Sequence, residues 1–146
     1  MKSTVYIPDA ELQQFLRKLK TASEEVKKKA AFELTATALD IDRNAKKFCP
    51  VKFGVLKGSI KHRKLTQDGL NHAIFTNVKY AVAVEKGTSA HKIVPKNAPR
   101  LAFMVGGKLV FAKEVMHPGT RAQPYLRPAY LLGVNRFYAR MRNLIP

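Results

Sequence analysis

Cysteine occurs once in this 146-residue chain, at Cys49, so no disulfide can staple the fold from within. A lone thiol is compatible with a reducing compartment. No apolar run reaches the roughly 18 residues that a bilayer span requires. The start, Met1-Lys2-Ser3-Thr4-Val5-Tyr6, lacks the apolar stretch of a secretory signal. These absences predict a soluble, cytoplasmic product with no membrane partner. Acids are scarce beyond Asp42: only Asp68, Glu85 and Glu114 remain, far apart in sequence. A nuclease would need clustered carboxylates to hold a cation, and this basic part has no such cluster. The four histidines, His62, His72, His91 and His117, show no i, i+4 pair and no Cys-x-x-Cys accompanies them, so neither a metal site nor a cofactor is expected. Cys49 ends an apolar helix face and reads as core rather than as a nucleophile. The chain is therefore read as a non-enzyme.

What the chain has in abundance is positive charge. Lys and Arg number 27 against 10 acids, a net of +17. Up to Asp42, seven acids face seven cations; from Arg43 onward, 20 cations face three acids, so the whole excess lies there. Such a field attracts DNA, RNA or the acidic face of a protein partner. The alternative is that surplus lysine only keeps the chain soluble. The best candidates for polyanion or partner contact are Lys57, Lys61, Arg63 and Lys64 on the first strand pair, with Lys86, Lys92, Lys96 and Arg100 on a long loop. The run Lys27-Lys28-Lys29 is cancelled by nearby acids and reads as a solvated helix face.

The length fits one domain over residues 1–146, able to bury about two-thirds of its unfolded surface. Pro8-Asp9 predicts a cap for a short helix over about 9–20, with Leu12, Phe15, Leu16 and Leu19 on one face. Thr21-Ala22-Ser23-Glu24-Glu25 offers the cap of a long helix over about 23–48, carried by Val26, Ala30, Leu34, Ala38, Ile41, Ala45 and Phe48, and Cys49-Pro50 ends it. Strands and a loop follow over about 55–115. Residues 56–65 read as an exposed or edge strand, and a hairpin joins 60–65 to 70–78 around Gln67-Asp68-Gly69. Residues 80–84 fit either a strand or one helical turn. Residues 86–100 read as a long loop, functional or mobile. A second hairpin pairs 101–105 with 109–113 across Gly106-Gly107. A C-terminal helix over about 125–144 carries Pro128 in its first turn. Its stripe is Leu131, Val134, Tyr138, Met141 and Ile145, with Arg136 and Arg140 pointing elsewhere. The order predicts an α+β fold, the long helix and the C-terminal helix packed on a mainly antiparallel, twisted sheet.

Three junctions punctuate this layout: Cys49-Pro50-Val51-Lys52-Phe53-Gly54-Val55-Leu56-Lys57-Gly58-Ser59-Ile60, Tyr80-Ala81-Val82-Ala83-Val84-Glu85-Lys86-Gly87-Thr88, and His117-Pro118-Gly119-Thr120-Arg121-Ala122-Gln123-Pro124-Tyr125-Leu126-Arg127-Pro128-Ala129. They resemble the tail-completion, head–tail joining (minor tail, neck) proteins of long-tailed bacteriophages. The matching positions are Pro50, Gly54, Leu56, Ser59 and Ile60; Tyr80, Ala81, Glu85, Gly87 and Thr88; and Gln123, Pro124, Leu126, Arg127, Pro128 and Ala129. The chain departs from the family pattern at Lys52-Phe53, where Asp-Thr is frequent, and at Lys86, where an aromatic is frequent. Tyr125 takes the usual phenylalanine place. Glu85, a lone acid in the basic part of the chain, is expected to pair within the chain, with Arg127 as the candidate, because burial unpaired would be costly.

The resemblance implies a structural virion protein, made in the host cytoplasm and incorporated into the tail or neck. It implies a self-assembled ring, commonly six-fold, contacting tail-tube and neck or head-closure proteins, with DNA passing through its lumen. A ring requires a heterologous contact that closes. The alternatives are a basic nucleic-acid-binding module without catalytic activity, and another minor tail component.

Overall fold

The computed structural model describes residues 10–142. The elements are α1 (Ala10–Lys20), α2 (Glu24–Phe48), α3 (Val55–Ser59), β1 (Lys61–Lys64), β2 (His72–Phe75), α4 (Ala81–Lys86), β3 (His91–Ile93), β4 (Leu101–Val105), β5 (Lys108–Ala112), β6 (Val115–His117) and α5 (Leu126–Met141). This is an α+β fold, with antiparallel pairing throughout, divided among three two-stranded ribbons: β1–β2, β3–β6 and β4–β5. The Asp9 cap and Ile145 lie outside the described residues, as do the side chains of Leu12 and Leu16.

Helix α2 begins where Ser23 Oγ accepts the Val26 N–H, with Glu24 and Glu25 in the first turn against the positive end of the helix dipole. It ends at Cys49, held extended ahead of Pro50. Its buried face is Ala30, Thr37, Ala38, Ile41 and Ala45; Phe48 is 40% exposed and falls off that face. The small side chains let α5 approach closely. A Cβ at Gly133 would stand 2.3 Å from Ile41 Cγ1. Arg140 locks the same pair, its Nε 2.7 Å from Glu33 Oε2 and its Nη2 donating to Thr37 Oγ1 at 3.0 Å.

Two clusters make up the core. Leu19, Ala30, Phe137 and Met141 form one, with Phe15 set edge-on to Phe137 at 5.2 Å. Ile41, Ala45, Cys49, Leu56, Ile60, Ala81, Tyr125, Leu126 and Ala129 form the other. The buried stripe of α5 is therefore Ala129, Gly133, Val134, Phe137 and Met141. Leu131, expected inside, is 49% exposed, because the helix turns its smallest residue, Gly133, toward α2.

Two segments differ from expectation, and a third, open between two forms, takes one of them. Residues 56–59, the start of the segment read as strand, belong to α3: Gly54 takes φ +76°, which starts a helical turn that drives Leu56 into the core. Ser59 Oγ closes that turn by donating to the Leu56 carbonyl. The open choice at residues 80–84 resolves as helix α4. The long loop 86–100 is interrupted by β3, whose His91, Lys92 and Ile93 stand opposite His117, Met116 and Val115 of β6.

Candidate functional site

The three junctions meet in space. Cys49, Leu56 and Ile60 from the first, Ala81 from the second, and Tyr125, Leu126 and Ala129 from the third share one buried cluster. Between the second and third the backbone is zipped: Gln123 N–H donates to the Val84 carbonyl at 2.8 Å, and Thr88 and Thr120 exchange N–H···O bonds at 3.0 and 3.1 Å. Gly87 fits this contact for two reasons. Its φ is +73°, and a Cβ there would stand 2.6 Å from the Thr120 carbonyl oxygen.

Glu85 sits at the centre, 5% exposed. Its Oε2 accepts the N–H groups of Tyr125 and Leu126, and its Oε1 that of Arg127, each at 2.9 Å. The expected pairing with the Arg127 guanidinium is corrected here: the partner is the Arg127 backbone amide, together with two others. The reason lies in the helix end. The first four amides of a helix have no partner within it, and the positive end of the dipole favours a carboxylate. At α5 those positions are Tyr125, Leu126, Arg127 and Pro128. Glu85 satisfies three, and Pro128 has no N–H to satisfy. Burial, followed by the nearby Cys49 and Glu85, pushes the Tyr125 phenol up to about 12. Burial also raises the Cys49 thiol.

The eight candidate cations are all exposed, and the fold separates them. Lys61 and Arg63 share one face of the β1–β2 ribbon with Phe75, whose ring lies 5.4 Å under the Arg63 guanidinium. Lys64 falls on the opposite face, beside Gly69. Lys57 stands on α3 and Lys86 at the end of α4. Lys92 is neutralised by Glu114 at 3.0 Å, while Lys96 and Arg100 lie between β3 and β4. The three acids beyond Asp42 are all used internally: Glu85 caps α5, Glu114 pairs with Lys92, and Asp68 accepts from Thr66 and the Leu70 amide, which lower its carboxyl below the ordinary range. Most of the positive charge in this part is left to act outward.

Two histidine pairs cross the ribbons. His72 Nε2 is 3.0 Å from the Gly69 carbonyl, so it carries a proton, and His72 Nδ1 accepts from His62 Nε2 at 2.8 Å. Burial holds His72 below the usual histidine range, and His62 and Lys64 lower it further. His91 and His117 stand opposite each other, ring centroids 5.1 Å apart. Among the described residues no three His, Cys, Asp or Glu side chains gather as a metal would require, and no helix is long and apolar enough to cross a membrane.

A surface not foreseen as a site is the β4–β5 ribbon. Ala102 stands opposite Phe111 and Met104 opposite Leu109, making one wholly apolar face. Met104, Leu109 and Phe111 are 63%, 57% and 58% exposed. The signal was present: Leu101-Ala102-Phe103-Met104-Val105 is apolar in both phases of the strand period, whereas a ribbon with a wet face alternates.

A family model described as "Bacteriophage HK97-gp10, putative tail-component" matches residues 13–87, just over half of the chain. The chain belongs to this HK97-gp10-like family of phage tail components. No curated protein matches it significantly, and neither does any solved structure.

Proposed function

We propose that the protein completes the head-proximal end of a phage tail and joins it to the capsid neck, as a closed ring of identical subunits around the DNA path. One observation carries the reading: the family-like motifs are spent on holding the fold, and what faces outward is apolar ribbon and uncompensated cation. Those are properties of a part that is built into an assembly. On this reading Lys57, Lys61, Arg63, Lys64, Lys86, Lys96 and Arg100 meet polyanionic surface, either DNA in the lumen or an acidic rim of a tail-tube or neck protein. The protein collects in the virion after assembly in the host cytoplasm. Removing its gene from the phage tests this: lysates then contain DNA-filled heads and detached tails, and supplying the protein restores joined particles. Normal infectious particles without it would sink the proposal.

A second reading, a nucleic-acid module acting outside the virion, draws on Lys61 and Arg63 sharing a face with Phe75. With about six phosphate contacts, its log affinity falls with log salt at a slope near −5. A flat salt response removes it.

A further inference from the structure

From Gly87 to Pro124 no residue is buried, although the segment holds four strands. None of its side chains joins either core cluster. The strands pair with one another, β3 with β6 and β4 with β5, and the Thr88–Thr120 bridge closes the segment at its root. It is an arm that the body holds at one end. Two-stranded ribbons are marginal in water on their own, and β4–β5 keeps Met104, Leu109 and Phe111 exposed on one face. The arm also carries six cations, among them Lys96, Arg100, Lys108 and Lys113, against the single acid Glu114.

An occupant of this face must therefore offer apolar surface and acid together. A second copy of the chain fails on acid. Among the acids with described side chains, Glu24, Glu25, Glu33, Asp40 and Asp42 each hold a Lys or Arg of the same chain. The three later ones are spent as described above. Lending any of them to a neighbour uncovers a cation or an amide here, so two copies gain no net attraction. DNA fails on the apolar side: its phosphates would meet the cations and leave Met104, Leu109 and Phe111 in water. An anionic bilayer offers both, yet hydrocarbon cannot pair the free backbone edges of a two-stranded ribbon. A protein surface with apolar and acidic side chains meets every requirement, because its own backbone or side chains can also satisfy those edges.

We infer that the arm over residues 87–124 docks, through the Met104, Leu109 and Phe111 face of its β4–β5 ribbon, into an apolar groove rimmed by Asp and Glu on a different protein. The inference rests on the proposed function for where that partner lies, and on the arm alone for the partner's chemistry.

A photo-crosslinking amino acid in place of Phe111 tests it in infected cells, where every binder is present. Phe111 is exposed and outside both core clusters, so the replacement should leave the unfolding midpoint unchanged. The expected adduct joins the arm to one other protein, at a peptide where Asp or Glu flanks apolar residues. With that protein purified, Lys108→Glu combined with Lys113→Glu should weaken binding by about tenfold or more. An adduct between two copies, with DNA alone or with lipid alone would overturn the inference. So would the absence of any adduct, a partner peptide without acids, or an unchanged affinity in the double variant. A host protein as the partner would uphold the arm's chemistry and overturn the tail-to-neck role, whereas an adduct between copies would leave the ring standing.

Discussion

A carboxylate that takes three amides at once is a stronger statement about a fold than a charge paired with a charge. Glu85 closes the end of α5 from 40 residues away, and the Arg127 side chain has no part in it. Glu85→Gln keeps the shape but turns an N–H₂ toward an N–H, and should cost about 2 kcal/mol in a denaturant titration. Arg127→Ala should change stability by less than about 0.5 kcal/mol. Equal losses in the two variants would restore the guanidinium pairing. The sequence showed that Glu85 needed a partner within the chain. It could not show that the partner was backbone, since an amide carries no residue signature. His72 gives a second test at this scale. Its folded-state pKa is depressed, so on acidification the unfolded chain takes up a proton first, below the ordinary value of 6.5. More protons on the unfolded state means stability falls as pH falls. Unfolding midpoints should drop from pH 7 to pH 5 more for the wild type than for His72→Asn. Parallel pH profiles would contradict the burial of a neutral imidazole.

Among the elements, the α2–α5 pair is the one the rest depends on. Both helices were legible from their apolar period, and a cap within residues 21–25 and a stop before Pro50 were legible from local chemistry; the structure places that cap at Ser23. The face of α5 was not, because a hydrophobic stripe is read from large side chains and this interface is centred on a glycine. Gly133→Ala separates the two views by sign. On an exposed helix face the change would stabilise by up to about 1 kcal/mol. Against Ile41 the added methyl overpacks, and a loss of about 1–3 kcal/mol is expected in the thermal or denaturant midpoint. The strand expected at residues 56–65 failed at its start for a similar reason. Gly54 is compatible with a strand lead-in or a left-handed turn, and only the burial of Leu56 selects the turn and α3. The β4–β5 hairpin forms where the sequence places it, and its apolar residues on both faces leave Met104, Leu109 and Phe111 exposed.

At the scale of the molecule, the excess charge was fully legible in the sequence, and the fold explains why it persists. Each of the three acids beyond Asp42 is committed inside the chain, and Arg43, Lys46, Lys92 and Arg140 are the cations of that part that pair with acids, so most of the 20 act outward. A self-repelling surface of this kind resists association in free solution and favours it where an anionic partner is present. On the proposed function, ring closure is therefore expected to follow contact with the tail rather than precede it. The measurement that tests this most directly is native mass spectrometry of the protein alone and with its tail-tube partner. The account predicts a monomer alone and a closed ring on the tube. A monomer that ignores the tube but retards DNA at low salt would contradict it.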